Sequence, residues 1–238
     1  MSETNRLHQR SATGAAAYDE GLRSYMLGVY NYMAMGIAGT ALVAMFFVMN
    51  PGAMQVAMGL RFLPFIGILG LGFFAPRMIF NGSAVMAQGA YWGYVALWGL
   101  LIGPVVAAYV GIGLAPMVAQ AFFITASVFL ATSLYGYTTK KDLSGWGQFL
   151  FMATVGLLIA IVVNFFLGSE MLSFLISGAV VLVFSAVTAY ETQMIKNLYA
   201  QGGGEMNKRA AIFGAFALYG SFATLFIHIL NLLALSRD

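Results

Sequence analysis

Long apolar runs, broken only by short polar punctuation, constrain this chain more than any other feature. The stretch "QFLFMATVGLLIAIVVNFFLGS", residues 148–169, contains no charge. About 20 such residues cross a hydrocarbon core of roughly 30 Å. Inside that core the backbone finds no water to bond, so a spanning segment must be a helix or part of a closed barrel. The alternation of barrel strands is absent from this sequence. Composition gives the same answer, since 61% of the 238 residues are hydrophobic and 8% charged. A soluble domain carries about 25% charge. The fold class is therefore an all-α polytopic membrane protein.

Punctuation divides the chain into seven expected spans, at about 23–49, 57–76, 84–110, 115–137, 147–167, 171–195 and 210–235. The breaks are "NPG" (50–52), "PRMIFNG" (76–82), "GIGLAP" (111–116), "TTKKDLSG" (138–145), "GSE" (168–170) and "QGGGEMNKR" (201–209). Each holds Gly, Pro, Asn or a charge cluster, the residues that end helices. None is long enough for a separate domain, so residues 23–238 read as one seven-helix transmembrane domain. Residues 1–22 form a polar tail carrying Arg6, His8, Arg10, Asp19 and Glu20. The tail lacks the apolar core of a cleaved secretory signal, so the first span is expected to act as an uncleaved anchor.

Basic residues set the orientation. Arg6, Arg10, Arg23, Arg77, Lys140, Lys141, Lys196, Lys208 and Arg209 fall on the side of the N-terminus and the even-numbered connections. The other side holds Arg237 and Arg61, the latter expected to snorkel to the outer interface. Such an asymmetry places the N-terminus in the cytoplasm and the C-terminus outside. A net charge of +3 spread over short loops speaks for membrane orientation, not nucleic-acid binding. With no cysteine, thiol, disulfide and cysteine-ligated metal chemistry are excluded. The two histidines, His8 and His228, lie in the tail and the last span, so no histidine metal cluster is expected. Neither GxSxG, HExxH nor an intramembrane aspartate pair is present, so the expectation is a protein that is not an enzyme and holds no cofactor.

Two spans carry polar stripes. Ala217, Ser221, Thr224, His228 and Asn231 recur at steps of four and three, which puts them within an arc of roughly 80°. Ser173, Ser177, Thr188 and Glu191 fall within roughly 60° on the sixth span. Such stripes face other helices or a hydrated path. Serine and threonine in membrane helices also bond to their own backbone, and the "GLLIG" of Gly99 and Gly103 reads as close helix packing.

Glu191 raises the sharpest question. Apolar residues continue past it to Ile195, and Lys196 is the next base. If Lys196 reaches the cytoplasmic headgroups, Glu191 lies on the order of 8–12 Å deep. An ionisable group at that depth needs a partner or a proton, and marks function by default. Ser221, twelve residues inside Arg209 on the returning helix, could meet it. Arg77, at the cytoplasmic end of the second span, is the expected cation. An acid–arginine latch that opens on protonation is the mechanism this suggests. The bland alternative is a frayed helix end wetted by the cytoplasm.

The stretches "SLYGYTTKKDLSGWGQFL" (133–150), "VNFFLGS" (163–169), "TAYETQMIK" (188–196) and "ALYGSFATLF" (217–226) resemble the Bax inhibitor-1, or TMBIM, family. The nearest likeness is to its bacterial YccA-type members. The resemblance implies a seven-helix bundle around a central seventh helix, in the inner membrane of a bacterium. For some members it implies a pH-sensitive calcium leak governed by aspartates on the sixth and seventh spans, with an arginine near the end of the second. For YccA-type members it implies modulation of a membrane-anchored AAA protease of the FtsH type. Carried onto this chain, the sixth-span acid is Glu191, the arginine is Arg77, and the seventh-span aspartate falls at Ser221. Without a second carboxylate there is no like-charge pair to share a proton.

Two function classes follow. One is a leak path for calcium or another cation, gated by Glu191 and Arg77 and lined by Thr188, Ser221, Thr224, His228 and Asn231. The other is a non-conducting modulator of a membrane-anchored AAA protease.

Overall fold

The computed structural model describes residues 3–201 and 203–237, with side chains at 20–199 and 203–237. Arg6, His8, Arg10 and Asp19 thus lie outside the described side chains. The chain forms α1 (Glu3–Met49), α2 (Pro51–Gly59), α3 (Phe62–Asn81), α4 (Ala84–Gly111) and α5 (Ala115–Thr138). A single 3-10 turn (Ser144–Trp146) then leads into α6 (Gly147–Leu167), α7 (Glu170–Gln201) and α8 (Gly204–Leu235). Seven of these are long and apolar enough to cross a membrane: α1 from Glu20 onward, and α3 to α8. Helix α2 has nine residues, about 14 Å at 1.5 Å each, too short to span.

The second span is displaced from its expected limits. It runs over Phe62–Asn81 instead of 57–76, and Pro76 lies inside it. Proline costs a helix one N–H, a loss that membrane helices tolerate where neighbours re-satisfy the freed carbonyl. The end comes at Gly82, whose N–H bonds to the Met78 carbonyl, and Ser83 starts α4 by accepting the Met86 N–H. At the front of this region Pro51 occupies the first turn of α2, a position where a missing N–H is harmless. Helix α6 stops at Gly168, whose φ of 64° is the left-handed cap that glycine adopts without strain.

Which helix sits where follows from side-chain size. Helix α8 carries small residues at Gly214, Ala215, Gly220 and Ala223, and it packs against α1, α3, α4, α5 and α7. In an 18-residue window of its span 72% of the residues are buried, against 6% for α6, which packs on α7 and the 3-10 turn and meets α3 where Phe165 lies edge-on to Phe62, ring centres 4.7 Å apart. Lipid is as apolar as leucine, so burial in a membrane bundle selects close-packing and polar surfaces over purely aliphatic ones. The expected role of Gly99 and Gly103 is seen directly. A Cβ at Gly99 would stand 3.1 Å from Val43 Cβ, and one at Gly103 would stand 2.9 Å from the Phe47 ring.

Candidate functional site

The polar stripes of α7 and α8 face each other along one seam. At its inner part the Ser221 hydroxyl donates to Glu191 Oε2 at 2.7 Å. Ser221 is buried and Glu191 half-buried. Toward the outer side, Ser177 Oγ and His228 Nδ1 are 3.0 Å apart. Asn231 Nδ2 donates to Ser173 Oγ at 3.0 Å and to Ser177 Oγ at 2.9 Å. Steps of three and four residues on both helices put these groups on matching faces. Thr188 and Thr224 lie on the same faces, but their hydroxyls bond to their own helices, at Phe184 and Gly220.

Arg77 does not join this site. The buried side of α3 is Pro64, Ile68, Ala75 and Ile79. Arg77 is two residues from both Ala75 and Ile79, about 200° round the helix, and is exposed. Helix α3 packs on α4 and α8 and does not touch α7. The expected Glu191–Arg77 pair is therefore not formed. Among the described residues the ion pairs are those of Lys208 and Arg209 with Glu205, at 3.7 and 4.0 Å.

A different arginine serves the end of α3. Arg209 Nη1 donates to the carbonyls of Ile79, Phe80 and Gly82, at 3.1, 3.2 and 2.5 Å. These are orphan carbonyls of a helix C-terminus, where a cation also meets the favourable end of the helix dipole. Lys196 acts likewise on α5. Its Nζ donates to the Tyr137 carbonyl at 2.9 Å and lies 5.1 Å from the centre of the Tyr137 ring.

Around Glu191 the motif "ETQMIK" binds α7 to its surroundings residue by residue. Thr192 Oγ1 lies 2.9 Å from Ser133 Oγ of α5, which lies 2.7 Å from the Tyr30 hydroxyl of α1. Gln193 receives the Leu143 N–H at 2.7 Å and donates to the Lys141 carbonyl at 2.8 Å, clamping the loop between α5 and α6. In that loop Asp142 accepts the Ser144 N–H at 2.9 Å, which holds its carboxyl below the usual range. Ile195 is fully buried, and its carbonyl accepts from Tyr25 at 3.3 Å. Ser133 and Thr192 were missed as partners by the sequence reading. The signal was present only as single hydroxyls on separate helices.

Helix α4 completes the neighbourhood. Tyr94 stacks on Phe216 with ring centres 4.0 Å apart. A Cβ at Gly220 would stand 2.6 Å from the Tyr94 hydroxyl, so the glycine beside Ser221 admits that oxygen. On another face of α8 an apolar cavity of about 450 Å³ reaches Tyr219, Phe222 and Phe226, between α1 and α5. Thr40 and Tyr219 hydrogen-bond to each other at 2.5 Å in its wall. Among the described residues no three acidic, histidine or cysteine side chains cluster as a metal site would require.

Comparison with known proteins agrees with this architecture. The profile of the family described as "Inhibitor of apoptosis-promoting Bax1" matches residues 22–238. A protein of Deinococcus radiodurans is 41% identical, over 91% of this chain and 92% of its own length. The inner membrane protein YbhL of Escherichia coli is 37% identical, over 89% of this chain and 92% of its own. A Caulobacter vibrioides protein is also 37% identical, over the full length of both chains.

Proposed function

This chain belongs to the Bax inhibitor-1 family, and on that premise we propose that it is a proton-responsive cation leak protein of a bacterial inner membrane, with Glu191 as its working acid. The observation that carries the reading is Glu191 itself. It is a half-buried carboxylate on the α7–α8 seam, hydrogen-bonded to Ser221 and, among the described residues, given no cation. A group of this kind within a span is costly to hold and marks an ion or proton pathway. The seam then supplies hydroxyls, an imidazole and an amide toward the outer side, in the order Thr188, Thr224, His228 and Asn231. Calcium favours six to eight oxygen ligands. One carboxylate and a few hydroxyls suit transit of a cation better than its storage.

In this reading the resting seam is closed by its own hydrogen bonds, at Ser221–Glu191 and at Ser177–His228–Asn231. Protonation of Glu191 weakens the charge-assisted bond from Ser221 and frees α8 to shift toward the cavity on its other face. The test is calcium release from liposomes loaded with an indicator dye, over a range of pH, for the wild type and Glu191→Gln. A pH-dependent flux that disappears in the variant supports the proposal. Equal, pH-independent traces sink it.

A second reading is favoured by Arg77, which is exposed and, among the described residues, has no acid bound to it. Such a residue suits docking onto a cytoplasmic partner, as expected for a YccA-type modulator of a membrane-anchored AAA protease. Co-purification of that protease with the wild type and its loss with Arg77→Glu would favour this alternative.

A further inference from the structure

We propose that the apolar slot between α1 and α5 is a binding site for one acyl chain of a membrane phospholipid, which enters sideways from the bilayer. The inference concerns the face of α8 turned away from Glu191 and does not depend on the reading of that acid. Helices α1 and α5 each pack on α4 and α8, yet among the described residues their α-carbons nowhere approach within 8 Å of each other. The Tyr30–Ser133 hydrogen bond ties them toward one end. Toward the other, where α1 ends at Met49 and α5 begins at Ala115, the gap stays open as the cavity of about 450 Å³. Alanines make the room, with Ala41 and Ala44 on one wall and Ala115 and Ala119 on the other. Ile102 of α4 and Phe222 of α8, both buried, form the floor.

Chemistry, length and mouth together select the occupant. The polar side chains of the lining, Thr40 and Tyr219, are hydrogen-bonded to each other. Thr40 donates onward to the Gly36 carbonyl at 3.2 Å, so neither hydroxyl proton is left free for a polar ligand. An apolar cavity does not hold water, and an unfilled one forfeits the dispersion contacts of its walls. From Ile37 to Val48, α1 lines the slot over about 17 Å at 1.5 Å per residue. One leaflet of a hydrocarbon core of roughly 30 Å is about 15 Å deep. The slot therefore has the length of one leaflet's chain. At its mouth stand Met45 and Phe123, 60% and 68% exposed, and both belong to membrane spans. The mouth thus continues the lipid-facing surface of α1 and α5, and bilayer lipid is what reaches it first.

The test is photo-cross-linking of the full-length protein in vesicles of phosphatidylethanolamine and phosphatidylglycerol. A trace of the phosphatidylethanolamine carries a diazirine near the end of one acyl chain, and labelled residues are located by mass spectrometry. A tail in the slot labels the floor at Tyr219 and Phe222, which are 1% and 6% exposed and out of reach of lipid that only surrounds the bundle. Ala41→Trp fills the slot from one wall, and the floor label should be lost. Ala119→Phe fills it from the other wall, and must give the same loss should the first variant fail to fold. Ala131→Trp, at an exposed position of α5 outside the slot, should leave the label in place. Label confined to Met45 and Phe123 overturns the proposal, and gives the slot to a second copy if the protein then runs as a dimer. A floor label that survives both filling variants overturns it too, as does one that an isoprenoid quinone displaces while added phospholipid does not. The label is read without any flux, so an empty slot leaves the Glu191 reading standing, and absent flux leaves the slot.

Discussion

Gly136→Ala probes the contact that sets the depth and direction of Glu191. A Cβ at residue 136 would stand 2.2 Å from the Ala189 carbonyl oxygen and 2.9 Å from its carbonyl carbon and Cα. All three are backbone atoms of α7, so no side chain can rotate out of the way. Helices α5 and α7 must part by about 1 Å, and overpacking of this kind costs about 1–3 kcal/mol. The movement also stretches the 2.9 Å contact between Ser133 and Thr192, adding roughly 0.6 kcal/mol, the average for such bonds between membrane helices. Reversible unfolding in mixed micelles, followed by tryptophan fluorescence, is expected to show a loss of about 2 kcal/mol or more. Gly156→Ala on α6 is the control, because its Cβ meets nothing within 4 Å. It should be neutral or slightly stabilising. A Gly136→Ala protein as stable as the wild type would refute the argument that backbone contact fixes the α5–α7 spacing.

Three further outcomes follow from the same contacts. Arg209→Ala should cost about 1–3 kcal/mol, because three carbonyls at the end of α3 lose a charged donor, whereas Arg77→Ala should stay within about 0.5 kcal/mol; unfolding titrations of the two side by side check the contrast. Asn231→Ala removes two interhelical bonds and should destabilise by about 1 kcal/mol, measured the same way. Asp142 has a lowered folded-state value through the Ser144 N–H. Its contribution to holding the α5–α6 loop is present above the unfolded value and lost as pH falls through the folded one. Protection of the Ser144 amide from exchange, corrected for the intrinsic rate at each pH, should then fall only below the ordinary carboxylate range, and Asp142→Asn should abolish that step.

The spans were legible because apolar length alone decides them in a membrane, and the stripes of α7 and α8 were legible because period 3.6 shows on the sequence. That Ser221 meets Glu191 could be argued from depth. The second span was misplaced because Pro76 reads as a stop, yet the helix carries it through to Asn81. That continuation is what decides Arg77, since a helix running past Pro76 holds the arginine on the face away from Ala75 and Ile79. Arg209 was counted only as a charge, and its task at the end of α3 depends on two helices separated by over 120 residues. The same holds for Tyr30, Ser133 and Thr192, whose hydroxyls come from three helices. Periodicity reports a face, and only the packing reports what that face meets.

A single carboxylate working on the α7–α8 seam beside Ser221 carries the proposed activity. Its most direct test is Ser221→Asp, which sets a second carboxylate against Glu191 where the hydroxyl now stands 2.7 Å away. Two acids at that spacing cannot both ionise freely, so they titrate as a coupled pair. Calcium flux from liposomes measured against pH should gain a step in the variant that the wild type lacks, and Glu191→Gln in the same background should remove it. Superimposable wild-type and Ser221→Asp profiles would contradict the account.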